Sequence, residues 1–282
     1  MRLLLTGAEG FTGTHLRQAA AQAGFEVCAL TGDLQDSAAV LSQVLAYQPT
    51  HVVHLAGISH VTLDSPLQYY QVNLLASLGL LDALAALPQP PQKVILASSA
   101  NVYGNRAISP ISEAQPPSPI SHYAMSKLAL EYLSRPYYDR LPIVITRPFN
   151  YTGVGHDLKF VIPKIVDHFR RRADTIELGN IDVLREYNDV RDVCAIYLAL
   201  LLEGQPAQTY NIASGRTYSL RQIVAYLEKL TGHQLVITAN PALMRANEIA
   251  HLGGDATRLQ ADIGQLSWRQ IEATLEWMLA AG

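Results

Sequence analysis

Tyr123 and Lys127 stand four positions apart in the stretch YAMSK, inside a segment of helical character. On a helix that spacing puts both side chains on one face, one turn apart. The pair alone leaves two readings open. It is either an exposed contact on a helix surface or a phenol and an ammonium that share a proton-transfer task on a substrate.

A second candidate chemistry lies at the start of the chain. TGAEGFTG places Gly7, Gly10 and Gly13 at three-residue spacing between an apolar run and a helical pattern. Glycine at a strand-to-helix turn lets backbone N–H groups approach a pyrophosphate at the helix N-terminus, where the helix dipole favours anions. The pattern is G-x-x-G-x-x-G rather than G-x-G-x-x-G. A dinucleotide site also carries, as a rule, an acid at the end of the second strand for the adenosine ribose. Here that strand ends in Leu30-Thr31-Gly32 and runs almost directly into DLQD, 33–36. The second βαβ unit therefore reads as truncated. Asp33 either reaches the adenosine or opens the next helix, and the choice between NAD and NADP stays open.

The elements that must position these groups follow from hydrophobic periodicity. Strands are predicted at 2–7, 25–30, 51–57, 93–100 and 142–150, and helices at 13–24, 37–48, 65–87 and 121–140, the last interrupted near Pro136. Strands separated by helices imply right-handed crossovers and a parallel sheet covered on both faces. After residue 150 helices are predicted at 160–172, 189–204 and 219–232, with Ser219 and Gly232 as caps and a final helix from about Trp268. QTYNIASG, 208–215, reads as a strand returning to the main sheet. The expected fold is α/β: a Rossmann-type doubly wound parallel sheet with a smaller C-terminal α/β substrate lobe. The expected division is 1–150 plus about 186–216 for the dinucleotide, and 151–185 with 217–282 for the substrate.

Composition narrows the function classes. The chain has 282 residues, 49% of them hydrophobic and 16% charged, as in a globular protein with a sizeable core. The net charge of −3, with no long run of Lys or Arg, argues against nucleic-acid and membrane-surface roles. Cys28 and Cys194 lie in apolar segments and give neither a disulfide framework nor metal-ligand spacing. Met1-Arg2 leads straight into a strand, and no apolar run approaches the length of a membrane span. A cytoplasmic location is expected.

The motifs now converge. Gly7, Gly10 and Gly13, HLAG at 54–57, Asn73, ASSANVYG at 97–104, Tyr123 with Lys127, and TRPFN at 146–150 occur in this order. In this the chain resembles the extended short-chain dehydrogenase/reductase family, which includes nucleotide-sugar epimerases, dehydratases and reductases. The resemblance implies that Gly7, Gly10, Phe11, Gly13, Asp33, Leu34, Leu55, Ala56, Gly57 and Asn73 bind NAD or NADP, together with Tyr123 and Lys127. It implies that Tyr123 is the general acid or base and Lys127 its electrostatic partner. A keto group that gains hydride becomes an alkoxide and needs a proton. Tyrosine, with an ordinary pKa near 10, supplies it near neutrality when a positive charge lies close by. Ser99, four residues before Tyr103, matches the family's hydrogen-bond donor to the reacting oxygen, with Ser98 the second choice.

The second half resembles a narrower branch. TRPFNYTGVGHDLKFVIPKIV, LGNIDVLREYNDVRDV and MRANEI are similar to GDP-mannose 4,6-dehydratases and GDP-4-keto-6-deoxy-mannose reductases. That branch implies that Asn150, Lys164, Arg185, Arg245 and Glu248 hold the GDP part, cations meeting the diphosphate. For Arg185 a surface ion pair with Glu186 or Asp189 is the alternative. RAN-E stands where RP-x-E is the common form, and His60 in GISHV reads as a loop histidine. The dehydratase pattern needs a glutamate two residues before the YG tyrosine. Asn101 stands there and cannot act as a carboxylate base. The expectation is a reductase of a nucleoside-diphosphate 4-keto-6-deoxy-hexose, GDP-linked, giving GDP-D-rhamnose or GDP-6-deoxy-D-talose. A 4-epimerase with retained NAD+ is the alternative, and a non-catalytic nucleotide sensor the remote one. A homodimer through 65–87 and 121–140 is also expected.

Overall fold

In the computed structural model of the chain, residues 1–59, 65–106, 108–243 and 250–281 are described. The N-terminal half runs β1 (Arg2–Thr6), α1 (Phe11–Gln22), β2 (Glu26–Ala29), α2 (Ser37–Tyr47) and β3 (His51–His54). It continues with α3 (Leu67–Tyr70), a π turn (Gln71–Leu75), α4 (Ala76–Ala85), β4 (Lys93–Ala97), a 3₁₀ segment (Ala100–Arg106), α5 (His122–Leu133) and β5 (Ile143–Pro148). The predicted helix over 65–87 is thus one helical path whose middle widens into a π turn. The predicted helix over 121–140 stops at Leu133, and Pro136 lies in a short 3₁₀ turn beyond it.

Six strands form one sheet in the order β2-β1-β3-β4-β5-β10, where β10 is Thr209–Ile212, and every pairing is parallel. The returning strand expected at 208–215 therefore completes the sheet beside β5. β2 is an edge. Its crossover through α2 leads to β3, on the far side of β1, so no strand lies outside β2. This is the physical form of the truncation read from the sequence.

The strands are apolar on both faces because both faces are covered. Leu3, Leu5, Val53, Ile95 and Val144 pack with Leu16, Tyr197, Leu200 and Leu259 on one side. Leu4, Val52, Val94, Leu96 and Ile145 pack with Val40, Val44, Leu80, Leu84 and Leu130 on the other. The alternation along each strand follows the two-residue period. Each such fully buried side chain contributes about 1.5–3 kcal/mol of transfer free energy.

A second core lies beyond the sheet. After β5 come β6 (Tyr151–Thr152), α6 (Val161–Arg170), β7 (Thr175–Leu178), β8 (Leu184–Arg185), β9 (Asn188–Asp189) and α7 (Val190–Glu203). After β10 come α8 (Leu220–Thr231), β11 (Val236–Ala239), β12 (His251–Leu252), α9 (Thr257–Ile263) and α10 (Ile271–Ala280). α6, α8 and α10 bury Ile162, Phe169, Ile223, Leu227 and Leu275 together. Ser219 caps α8 in a reciprocal box with Gln222, and Gly232 ends it at φ +64°. The final helix begins at Ile271 rather than near Trp268. Asp192 accepts from the Arg269 backbone N–H at 2.7 Å and holds that stretch in loop form. α9 was not expected from sequence, since it is seven residues long and buries only Leu259, too little for a visible period. Among the described residues, no helix is long and apolar enough to cross a membrane.

Candidate functional site

At the C-terminal end of β1 the chain turns through Gly7 at φ +68°. A side chain there would strike Ala56 N at 2.8 Å. Gly13 is packed tighter still: a Cβ would lie 2.0 Å from Gly7 O and 2.7 Å from Ala8 Cα. The turn therefore needs both glycines, and it delivers the N-terminus of α1 bare, with Gly10 as the N-cap and no side chain bonding to its first amides. Such a bare helix start after a parallel strand fits a dinucleotide pyrophosphate. Leu55 and Ala56 follow β3 alongside this turn. Ala56 N donates to Thr6 Oγ1 at 3.1 Å.

The other predicted residues of this end are accounted for as follows. Phe11 begins α1 with its ring parallel to His156 at 4.3 Å and to Tyr151 at 6.0 Å. Thr12 and Tyr151 join hydroxyls at 2.8 Å, so the start of α1 is pinned to the loop after β5. Asp33 is exposed and accepts from Gln35 N at 2.9 Å, whereas Asp36 is the residue that caps α2. Of the two readings of Asp33, helix opening is thereby removed. Leu34 packs partly buried against the α2–α4 face.

Tyr123 and Lys127 project from α5, which Ser121 caps. Both side chains are buried. Lys127 Nζ donates to Ala97 O at 2.8 Å, at the end of β4. A Cβ on Gly57 would lie 2.9 Å from Asn73 Oδ1 and 3.2 Å from Lys127 Nζ, so these three predicted residues meet at one point. Asn73 lies in the π turn, as functional residues often do. Its amide accepts from Ile58 N at 2.7 Å and donates to Ile58 O and to Ser126 Oγ, both at 3.1 Å. Ser99, just past β4, faces the Tyr123 hydroxyl and acts to lower its pKa. Ser98 turns the other way and donates to Glu131.

The electrostatics suit a proton donor. Burial raises the Tyr123 pKa, partly offset by the Ser99 bond, so the phenol holds its proton. Burial also lowers Lys127 to about 8, while the Glu131 charge pulls it upward. The result is a neutral phenol, with a hydroxyl against it and an ammonium one helical turn away.

Three groups beneath the site escaped sequence reasoning. Glu131 lies one turn beyond Lys127 and pairs with Arg147 of β5 at 2.6 Å, both buried. Its signal was present: an acid four residues after Lys127 and eight after Tyr123, on the helix face that carries that pair. His54 is buried between Thr6 Oγ1 at 2.6 Å and Ser77 Oγ at 2.7 Å, and Ser77 donates to Asn73 O at 2.9 Å. This chain links the glycine turn to the π turn. Glu186 is fully buried and accepts from Gly254 N at 2.6 Å, Ser214 N at 2.7 Å and Asn188 Nδ2 at 2.8 Å. One carboxylate thus gathers three loops at the sheet's C-terminal edge.

The predicted substrate residues lie more widely. Asn150 is exposed at the end of β5, and its carbonyl accepts from Asn188 N at 2.9 Å. Lys164, on α6, donates to Glu177 O at 2.7 Å. Arg185 is on β8, with its backbone bonded both ways to Tyr218 and its guanidinium to Leu184 O at 2.9 Å. The carboxylates suggested as its surface partners are engaged elsewhere: Glu186 in the three loops, Asp189 with Arg191 and Thr274. Arg245, Glu248 and His60 lie outside the described residues. Asn101, which carries no carboxylate, donates its backbone N–H to Ser99 Oγ at 3.2 Å. No group of three or more His, Cys, Asp or Glu able to hold a metal ion is found among the described residues.

Known proteins resemble this chain in sequence and in fold. The family model for GDP-mannose 4,6 dehydratase matches residues 29–278. A GDP-6-deoxy-D-talose 4-dehydrogenase from Aggregatibacter actinomycetemcomitans is 33% identical over 284 residues, covering 99% of this chain and 97% of its own. A GDP-6-deoxy-D-mannose reductase from Pseudomonas aeruginosa is 34% identical over 295 residues, covering 99% and 95%. The structure of RMD from Pseudomonas aeruginosa, complexed with NADPH, matches with a TM-score of 0.91 at 32% identity, covering 99% of this chain and 96% of that one. Matched from the second strand to the last helix, the chain belongs to the GDP-mannose 4,6-dehydratase family.

Proposed function

We propose that the protein is an NAD(P)H-dependent reductase of a nucleoside-diphosphate 4-keto-6-deoxy-hexose, GDP-linked, giving GDP-D-rhamnose or GDP-6-deoxy-D-talose. The observation that carries this is the buried Ser99–Tyr123–Lys127 set, with Asn101 where elimination of water would need a carboxylate. The dinucleotide, when bound over the Gly7–Gly13 turn, supplies hydride to the keto carbon. Tyr123 gives its proton to the oxygen as that oxygen gains charge, and Ser99 donates a hydrogen bond to the same atom. Lys127, held by Ala97 O beside Asn73 and Gly57, keeps a positive charge near the tyrosinate that is left. In the reverse direction, on a sugar hydroxyl, the same groups exchange roles.

Residues 1–150 with about 186–216 form the dinucleotide part in this reading, and 151–185 with 217–282 the sugar-nucleotide part. Asn150, Lys164, Arg185, Arg245 and Glu248 hold the GDP. A cytoplasmic homodimer completes the proposal. Its support is the set of large apolar side chains exposed on two helical segments in contact: Leu67 and Leu75 near the π turn, Met125, Tyr132 and Leu133 on α5.

The test is nicotinamide absorbance with purified protein, NADH or NADPH, and fresh GDP-4-keto-6-deoxy-mannose. Oxidation is expected, falling about 10²–10⁴-fold in Tyr123→Phe. No oxidation with either dinucleotide sinks the assignment. Interconversion of a sugar nucleotide with retained NAD+ and no net oxidation would return the 4-epimerase.

A further inference from the structure

We infer that the protein selects NADH over NADPH, because the place that receives the adenosine ribose presents Glu9 and Asp33 and offers a 2′-phosphate no unpaired cation among the described residues. The inference rests on the dinucleotide reading of the Gly7–Gly13 turn.

In a sheet of this kind the adenosine ribose lies at the tip of the second strand, where an acid takes the 2′-hydroxyl or an arginine takes the 2′-phosphate. The β1–β2 register fixes that tip. Leu5 is level with Ala29, and Leu30 N donates to Leu5 O at 2.9 Å, which brings Thr31 level with Gly7. Thr31 is held in place by one side chain. Its N–H and hydroxyl donate to Gln43 Oε1 at 3.0 and 3.3 Å, and Gln43 Nε2 donates back to Thr31 O at 2.8 Å. A neutral, clamped residue thus stands at the tip. Two exposed carboxylates follow at this end of the sheet: Asp33 two residues after Thr31, and Glu9 two residues after Gly7, the residue level with Thr31.

The cations are few. Arg2 and Arg17 are the basic residues of positions 1–92, lysine included. Arg2 begins β1, at the opposite end of the sheet. Arg17 is on α1 and already pairs with Glu9 at 3.0 Å. A 2′-phosphate would have to take Arg17 from Glu9 and leave that carboxylate facing a dianion. A 2′-hydroxyl meets no such conflict, because it can donate to either acid. Like charges brought together in this way are a device of specificity rather than of affinity.

The experiment is fluorescence titration of the purified chain with NADH and with NADPH, without sugar. NADH is expected to bind at least about tenfold more tightly. Glu9→Gln, on an exposed side chain, releases Arg17 and removes one of the two carboxylates, and is expected to raise the affinity for NADPH relative to NADH about tenfold. Thr31→Arg added to it is expected to make NADPH the tighter ligand. Equal or tighter NADPH binding by the unaltered chain overturns the inference, as does a Glu9→Gln protein whose ratio does not move. Because no sugar is present, failure of the sugar assignment leaves this ratio readable. Binding of neither dinucleotide overturns the inference together with the reading beneath it.

Discussion

Arg147 grips Glu131 at two points, Nε to Oε1 at 2.9 Å and Nη2 to Oε2 at 2.6 Å, directly beneath the Tyr123–Lys127 pair. The grip extends in both directions. Ser98 donates to the same Glu131 oxygen, and Arg147 Nη1 donates to Tyr103 Oη at 3.0 Å, which donates to Asn211 Oδ1 at 2.7 Å. A polar chain thus crosses from α5 through the ends of β4 and β5 to β10. Its negative member lies one helical turn from Lys127 and favours the protonated amine.

Because both charges are buried, they are expected to behave as a unit. Glu131→Leu or Arg147→Met alone leaves one charge uncompensated and should cost about 3–5 kcal/mol. The double variant, in which both charges go, should cost clearly less than the sum. Urea unfolding of the four proteins measures the coupling. Additive losses would show that the two charges do not stabilise one another in the folded chain.

Lys127 ties stability and activity to pH with opposite signs. Burial lowers its pKa from 10.5 to about 8, with Glu131 opposing. The folded chain therefore binds fewer protons than the unfolded chain between those values. The penalty on the buried ammonium is present below about 8 and is relieved as pH rises toward 10.5. Over that window Lys127 should add stability as the solution becomes more alkaline, while kcat/KM falls as its charge is lost. Urea midpoints and kcat/KM against pH, compared with Lys127→Met, test both signs. A kcat/KM flat to pH 10.5 would remove the ammonium from the mechanism.

How much of this could be read from the sequence depends on whether the cause was local. LLLTG followed by glycines at fixed spacing specifies a strand, a turn and a helix within a few residues, and those three appear as expected. The shortening of the second βαβ unit was legible too, since few residues separate Ala29 from Ser37, but the position of β2 as an edge strand is seen only in the sheet order. The π turn at Asn73 was not, because QVNLL keeps the apolar pattern of an ordinary helix and the extra residue is absorbed in hydrogen bonding. Glu186 was misread for a different reason. In LREYND it looks like one charge in a solvated run, and only the fold brings the amides of Ser214 and Gly254 around it. Glu131 and Arg147 drew no reading from the sequence, being sixteen residues apart and meeting only in the fold.

His54 gives a prediction at the acid end. It is buried between two hydroxyls, and burial, with the Lys127 charge second, pushes its pKa down to about 3. A histidine depressed in this way stabilises the fold fully above its ordinary 6.5, and that contribution is lost as pH falls toward about 3. The melting temperature should therefore drop through this range, and less steeply in His54→Gln. The imidazole should show no proton uptake by NMR near 6.5 in the folded protein. Titration there would mean that His54 is open to water and that the link from Thr6 to Ser77 is not closed.

Two glycines of the first turn separate folding from binding. A Cβ at Gly13 would meet backbone at 2.0 and 2.7 Å, so Gly13→Ala must push α1 away from the turn. Overpacking of that kind costs about 1–3 kcal/mol, and dinucleotide binding should fall with it. Gly10 differs, because a Cβ there has Gly7 O at 3.3 Å as its only close neighbour and the residue has φ −75°. Gly10→Ala should keep nearly the stability of the unaltered chain. Its methyl group nevertheless stands at the helix cap, over the bare amides where a pyrophosphate would lie. The expected pair of results is a destabilised Gly13→Ala protein with weak binding, and a stable Gly10→Ala protein whose NADH affinity drops at least about tenfold. Melting curves and fluorescence titrations on the same two samples measure both. A Gly10→Ala protein that binds NADH as well as the unaltered chain would place the pyrophosphate somewhere other than the start of α1.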